Sequence, residues 1–536
     1  MGDVKLLALR NAGAGAPDIA RAQAPPTGRE CEIRLQGPPQ AMRAAAQKMG
    51  LADAPGQLMR AIYYDTQDCA LERARIALRV RRAGHDWTAT LKWPRAGDGA
   101  FSRGEAEAPA RKPDASGPPD LSALDANARD LLQACAGDAT LAPRFETRVR
   151  RRACMIERDA TRIEAALDSG AILAGDQRAR IAEIELEWKA GPPAGLYALA
   201  RELVELGLRL APRAKSERGG DLAAGRAPTP ARATPVTISP EATTRDASAE
   251  DALLALVENG LSHFLGAHAA LAGEQAAESV HQMRVALRRL RAALRLFERL
   301  APDSGLGPLR AEAGRLASAL GPARELDVFL EGLDAGAFEA AQAEAGLQDL
   351  RARAQRRRDR AHRDARALLA HGPAASLFTL DLQAFAAARG WRGDPVGAAW
   401  ASAPARELAA TALAALDRSA CKRGKRLRAL DAPARHELRI ALKNLRYAAE
   451  MFASLYAPED MRAFLKRISR LQEDLGVYND AVCAAALAQS LSAGLGAQGA
   501  RAAGVAQGWS LRGAHAADDD LRKAFRRFRD AARPWA

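Results

Sequence analysis

Long apolar runs are missing from this 536-residue chain. No stretch approaches the roughly eighteen uninterrupted apolar residues that a membrane-crossing helix needs, which excludes a helical membrane protein. Cysteine is sparse: Cys31, Cys69, Cys135, Cys154, Cys421 and Cys483 are scattered without a single C-x-x-C. That pattern excludes a zinc ribbon and a disulfide framework and fits a reducing compartment. The N-terminal apolar stretch, Leu6 to Leu9, is too short for a signal-peptide core, so a cytoplasmic protein is expected. Lysine is scarce as well, only 11 of 79 basic residues, so the basic excess is carried by arginine. An Ala- and Arg-rich chain can arise from GC-rich coding, and charge alone therefore decides little.

What is present is a globular composition, 48% apolar and 27% charged, with a net charge of +14. The length corresponds to three or four domains of about 150 residues. The positive balance favours an anionic partner, but no recognised nucleic-acid motif accompanies it, so neither a specific nucleic acid nor a membrane is expected as partner.

Two segments lack periodicity. Residues 1–28 are expected to be a disordered extension, and the Pro/Thr/Ala-rich residues 219–248 a flexible linker. Between them, 29–218 alternate with period two in ECEIRL, IALRVRR, WTATLKW, RIEAALDSGAIL and RIAEIELEWK, with helical stretches near 38–49 and 193–207. This predicts an α+β domain with a mainly antiparallel sheet. From 249 to 536 the periodicity is helical throughout. That second half carries most of the charge excess, +10 over 251–536 against +4 before it.

The charged residues of the first domain share faces. Glu30, Glu32 and Arg34 alternate with Cys31, Ile33 and Leu35; Arg79 and Arg81 share a face, as do Glu183, Glu185 and Glu187, and Arg103, Glu105 and Glu107 alternate again. A solvated outer face is the ordinary explanation for one such strand. Over five or six strands the faces are segregated by sign, whereas an outer surface mixes signs. A sheet closed with its charges inward would be lined by carboxylates in one zone and guanidinium groups in another. Such a tunnel suits a polyanion carrying hard divalent cations. His85 reads as a turn residue, and Trp87, Trp93 and Trp188 as wall or core packing.

Glu30-x-Glu32-x-Arg34 resembles the E-x-E-x-K signature that opens the CYTH, or triphosphate tunnel metalloenzyme, domain. YYDTQDCAL, LRVRR, TLK, RGEAE, FETRVRR, IEAALDSG, AEIELE and AKSERG follow in the family's order through residue 219. The resemblance implies an eight-stranded antiparallel β-barrel tunnel that cleaves triphosphate compounds with Mg²⁺ or Mn²⁺. It implies Glu30, Glu32, Glu183, Glu185 and Glu187 as metal ligands, and Glu30, Glu32 and Arg34 as the catalytic signature. Arg34, Arg79, Arg81, Lys92, Arg148, Arg151 and Lys215 would bind phosphates, with Glu105, Glu164 and Asp168 as supporting acids. The family pattern has Lys where this chain has Arg34; charge and phosphate contact survive that exchange, but a neutral amine is lost.

The helical half repeats itself. HQMRVALRRLRAALRLF (281–297) and HELRIALKNLRYAAEMF (436–452) are each followed by a Leu-Gly pair, forty residues from His to Gly in both cases, and then by Asp327 or Asp480. Matched composition at matched spacing predicts two duplicated helical bundles. His281, Arg284, Arg288, Arg291 and Arg295 share one helical arc, as do His436, Arg439, Lys443 and Arg446. Charge stripes are usually solvated faces, but partners at i,i+4 are then normally of opposite sign. Basic residues succeeding one another in both copies point to a compensating anion. The pattern resembles the CHAD, or conserved histidine α-helical, domain. This implies polyphosphate binding through His281, Arg284, Arg288 and Arg291 and through His436, Arg439, Lys443 and Arg446. His263, His268, His362, His371 and His515 fall outside the motif and read as structural or surface residues, and the QRRRDR run (355–360) as a solvated helix face.

Together these features predict an inorganic triphosphatase that captures polyphosphate, cytoplasmic and associated with polyphosphate granules. The alternatives are a thiamine or nucleoside triphosphatase, an adenylate cyclase, or a polyphosphate-binding scaffold without catalysis. Four or five inward acids disfavour the last, because anion binding alone has no use for them.

Overall fold

The computed structural model of the chain describes residues 29–94, 99–114, 117–238, 246–334, 345–516 and 518–536. The expected disordered extension at 1–28 lies outside them, as does the 239–245 part of the expected linker.

Eight strands build the N-terminal region: β1 (Arg29–Gln36), β2 (Gly56–Asp65), β3 (Ala77–Ala83), β4 (Asp86–Pro94), β5 (Ser102–Pro109), β6 (Ala142–Arg158), β7 (Thr161–Ala174) and β8 (Gln177–Ala190). All neighbours are antiparallel, in the order β5-β4-β3-β2-β6-β7-β8-β1, and β1 also pairs with β5, so the sheet closes into an eight-stranded barrel. The two-residue β9 (Arg209–Leu210) adds to the free end of β1. Five helices accompany the barrel: α1 (Pro39–Lys48), α2 (Ala70–Arg73), α3 (Ala126–Ala136), α4 (Ala194–Glu205) and α5 (Lys215–Ala223). The helical stretches expected near 38–49 and 193–207 are α1 and α4. Helix α3 went unanticipated, although Asp125 caps it by accepting from Ala128 N at 2.7 Å and it buries Ala128 and Leu132 one turn apart.

Where helices cover the barrel its outer face is apolar, and its cavity is lined with charge. Cys31, Ile33 and Leu35 of β1, Ile163 and Ala165 of β7, and Ile184 and Leu186 of β8 are buried beneath Met42 and Ala45 of α1 and Leu196, Leu199 and Leu203 of α4. On the other side Leu78, Val80, Ala89, Leu91 and Ala106 pack under Ala128 and Leu132 of α3. With the apolar residues of these covered strands drawn outward, period-two alternation turns their charged set into the barrel.

The C-terminal region is all-helical: α6 (Ala249–His268), α7 (Ala276–Glu298), α8 (Leu306–Ala319), α9 (Gly321–Leu333), α10 (Ala345–Arg366), α11 (Ala374–Ala387), α12 (Pro395–Ala401), α13 (Ala405–Gly424), α14 (Ala432–Met451), α15 (Pro458–Ser492), α16 (Ala497–Ala516) and α17 (Asp518–Arg529). The pair α6–α7 corresponds to α13–α14. Their starts are joined reciprocally: Ala249 N donates to Ala403 O and Ala405 N to Ala247 O, both at 2.8 Å. The copies then diverge. At Leu320–Gly321 a new helix begins with Pro322 in its first turn, whereas Leu475–Gly476 lies inside the unbroken α15.

The two regions share one core. Its buried side chains run without a break from Ile33, Leu196 and Leu203 to Leu256, Phe264, Leu290 and Leu442. Across the junction Leu210 N donates to Ser376 Oγ (3.0 Å), Arg209 Nε to the His371 carbonyl (2.8 Å) and Ala100 N to Gln383 Oε1 (3.0 Å). The flexible-linker expectation is corrected over 219–238. Residues 219–223 belong to α5, and Val236 and Ile238, spaced to share one face of an extended chain, are both buried in the common core.

Candidate active site

The barrel encloses a cavity of about 340 Å³. Twelve expected residues line it: Glu30, Glu32, Arg34, Arg79, Arg81, Lys92, Glu105, Arg151, Glu164, Glu185, Glu187 and Lys215. Asp168 and Glu183 share the inward strand faces of Glu164 and Glu185 but are fully buried, in contact with Lys215 of α5. Arg148 is not brought there. Its side chain is 65% exposed and pairs outside the barrel with Glu146. The reason is parity: Arg148 and Arg151 are three apart on one strand, so they take opposite faces. Arg103, Glu107, Lys189, Tyr63 and Thr90 also line the cavity. The same alternation that exposes Glu105 signals Arg103 and Glu107, while nothing in the local pattern singles out Tyr63 or Thr90. Outside the site, His85 is an exposed hairpin residue and Trp188 is buried, donating to the Gly191 carbonyl.

Two charge centres organise the wall. In the first, Lys92 Nζ lies 2.6 and 2.5 Å from the Glu30 oxygens, 3.2 Å from Glu105 and 3.9 Å from Glu32. Glu30, Glu105 and Glu187 each offer an oxygen within 4.8 Å of the others. In the second, Lys215 Nζ stands 2.7 Å from Asp168, 2.6 Å from Glu183 and 2.5 Å from Glu185. Arg151 grips Asp168 through two hydrogen bonds and also reaches Glu185, while Arg218 holds Glu183 at 2.6 Å. Asp168, Glu183 and Glu185 form a second group within 4.8 Å.

Between the centres stands Glu32, 3.3 Å from Arg34. Burial, then the charges of Glu185 and Glu30, push its carboxyl up to about 7 against the pull of Arg34 and Lys92. Burial would raise Glu185 too, but Lys215 and Arg151 outweigh it and hold that carboxylate well below its ordinary range. Arg34 Nε and Arg79 Nε are buried without a hydrogen-bond partner. A crowded carboxylate and two orphaned guanidinium donors lining one cavity fit a bound cation and a phosphoryl acceptor together.

Helix α5 positions much of this. Gly219 lies flat on Phe145, where a Cβ would come within 2.1 Å of the ring, and Leu222 packs beside Tyr63, Val149 and Ile172 inside one end of the barrel. Its first turn therefore delivers Lys215 and Arg218 to the buried acids.

In the helical region the basic arcs of α7 and α14 converge. Arg288 acts electrostatically on both Arg439 and Lys443, and Arg284 on His281. Burial, then Arg439 and Arg288, bring Lys443 down to about 7. Arg288 Nε, Arg439 Nε and Arg446 Nε are buried without a partner. Arg291 is exposed, and exposed His436 bonds Asn479 Oδ1 at 3.1 Å. The two copies use their trailing acids differently: Asp327 is buried between His362 (2.9 Å) and Arg358 (2.6 Å), whereas Asp480 stands 3.6 Å from Arg439. His263 and His268, expected to be structural, bond Gln282 and the Leu369 carbonyl. His515 is outside the described side chains. Among the described residues no helix is long and apolar enough to cross a membrane.

Comparison with known proteins places two families along the chain. Residues 28–219 match the family model of the CYTH domain, and residues 255–489 that of the CHAD domain. An inorganic triphosphatase of Haemophilus influenzae is 30% identical over 160 residues, 29% of this chain and 44% of that protein, so the match spans less than half of the relative. A crystal structure of the CHAD domain from the plant Ricinus communis is 31% identical, covering 57% of this chain and 98% of its own, with a TM-score of 0.48. An adenylyl cyclase homologue from Hippeastrum, described as having a dominant triphosphatase activity, is 16% identical over 37% of this chain and 97% of its own, with a TM-score of 0.25.

Proposed function

From a chain that carries a CYTH domain followed by a CHAD domain, we infer a metal-dependent hydrolase of inorganic triphosphate whose helical region binds polyphosphate. The observation that carries this reading is the joint presence, lining one cavity, of the crowded Glu32 carboxylate and the orphaned donors of Arg34 and Arg79. The likeness to an inorganic triphosphatase supports the choice of substrate.

In this reading Glu30, Glu32, Glu185 and Glu187 hold Mg²⁺ or Mn²⁺, with Glu183 and Asp168 buried behind them. The cation supplies charge neutralisation at the phosphoryl group under attack. Arg34 and Arg79 donate to phosphoryl oxygens, and Arg81, Lys92, Arg151 and Lys215 add fixed positive charge where negative charge accumulates in the transition state. Glu30 and Glu105 hold the Lys92 ammonium in place, and Asp168 fixes the plane of the Arg151 guanidinium. Arg284, Arg288, Arg439, Lys443 and Arg446 form the polyphosphate surface, with His281, Arg291 and His436 at its margins. Cytoplasmic residence alongside polyphosphate granules belongs to the same reading.

The test is phosphate release from triphosphate, ATP, thiamine triphosphate and long-chain polyphosphate, each with Mg²⁺ or Mn²⁺. Triphosphate is expected to be cleaved, and the activity to vanish in Glu30→Gln and Glu185→Gln. Tight polyphosphate binding without turnover of any of the four would refute catalysis and leave a binding scaffold.

A further inference from the structure

The two-fold relation inside the helical region allows its grooves to be compared. In the first half, the groove between α6, α7 and the turn after α14 is filled by the chain itself. Residues 231–238 run along it without regular secondary structure, with Val236 and Ile238 buried. Asn259 donates to Thr234 Oγ1 at 2.9 Å, Arg289 reaches the Thr234 carbonyl at 3.4 Å, and Ser454 Oγ accepts the Ile238 N–H at 3.1 Å.

The corresponding groove of the second half, between α13, α14 and the end of α7, is filled by no segment among the described residues. It is a mainly apolar cavity of about 420 Å³, with Ala292, Leu296, Ala412 and Leu416 on its walls. Trp400 also lines it, 8% exposed, its indole N–H buried without a partner.

Aligning Ala249 with Ala405 and His281 with His436 shows how the polar grips have changed. Ala415 stands where Asn259 does, Asn444 where Arg289 does, Arg295 where Glu450 does and Arg299 where Ser454 does. The last two exchanges replace acceptors by guanidinium groups, which only donate. A chain lying here as 231–238 lies in its twin could not offer an N–H at Arg299; it must offer an acceptor, and two cations against the one carboxylate of the lining, Glu407, favour a charged one.

We propose that this second groove docks an extended peptide of small apolar residues that ends in a free carboxylate at Arg295 and Arg299. The apolar walls take its alternate side chains as the twin groove takes Val236 and Ile238, and the indole N–H of Trp400 gains an acceptor. This goes beyond the triphosphatase reading and does not depend on it.

The probe is the octapeptide Ala-Arg-Ala-Thr-Pro-Val-Thr-Ile, a copy of residues 231–238, titrated onto the full chain as the free acid and as the C-terminal amide. Tryptophan fluorescence reads the groove, and Trp400→Phe identifies its share of the signal. The free acid is expected to give a saturable change that Trp400→Phe removes, with the amide weaker by about tenfold or more. Arg299→Ser, an exposed change that copies the twin groove, should erase the preference for the acid while leaving the fold intact. Ala415→Phe should block binding of both forms. Failure to saturate at millimolar peptide, equal binding of acid and amide to the unaltered chain, or a Trp400 response to decanoate but not to the peptide would each overturn the proposal.

Discussion

Lys215 offers the sharpest perturbation, because one ammonium compensates three buried acids. Its distances to Asp168, Glu183 and Glu185 are 2.5–2.7 Å. At an effective dielectric of about 20, each contact is a gross attraction of about 6 kcal/mol. Desolvation of four charges consumes most of that sum, and removing one partner of such a buried cluster costs about 3–5 kcal/mol net. Lys215→Met keeps the length of the side chain and deletes the charge, leaving Arg151 and Arg218 to serve the three carboxylates. Because a 536-residue chain with a barrel and a helical region need not unfold in two states, hydrogen exchange at the β7 and β8 amides is the better assay. In EDTA their opening free energy should fall by about 3–5 kcal/mol. Saturating Mn²⁺ should restore about 1.4 kcal/mol for every tenfold excess over its dissociation constant, because the cation replaces the missing charge. Unchanged protection in EDTA, or a loss that no divalent cation relieves, would refute the reading of these acids as one electrostatic unit.

Four further outcomes follow from the charges. Glu32, raised to about 7, binds a proton in competition with a metal, so apparent Mn²⁺ affinity measured by calorimetry should fall by about tenfold per pH unit below 7 and level off above it. The same shift means that protonation stabilises the metal-free fold: Glu32's contribution should increase as pH falls from about 7 towards the ordinary glutamate value and be flat above 7. Lys443, lowered to about 7, is largely neutral at pH 8 until an anion arrives, so polyphosphate binding there should take up close to one proton, visible as a dependence of calorimetric heat on buffer ionisation enthalpy. Arg284→Glu combined with Arg439→Glu should abolish polyphosphate retention while triphosphate cleavage in the barrel persists; equal loss of both would show that the two regions do not act separately.

Much of the site was legible because strand alternation is a local rule. Once Cys31, Ile33 and Leu35 are assigned to a covered face, Glu30, Glu32 and Arg34 must share the other, and the same holds for Arg79 with Arg81 and for Glu185 with Glu187. That rule also contained the correction to Arg148, whose odd spacing from Arg151 places it outside. Local pattern could not show that Asp168 and Glu183 are fully buried and not open to the cavity, since their burial depends on where α5 lands. Nor could it seat residues 231–238: Val236 and Ile238 are two apolar residues in a Pro- and Thr-rich stretch, and only a groove built from distant helices gives them somewhere to go.

By itself the sequence determined which charged residues share a strand face, and the doubled basic helix, because alternation with period two and periodicity near 3.6 are fixed by backbone geometry within a few residues; the closed barrel was implied only by the resemblance to the CYTH family. The tertiary structure alone decided that both regions share one core, that Lys215 balances three acids at once, and that one of two related grooves is filled by the chain while the other stays open. Those outcomes depend on contacts between residues tens to hundreds of positions apart, which no local periodicity encodes.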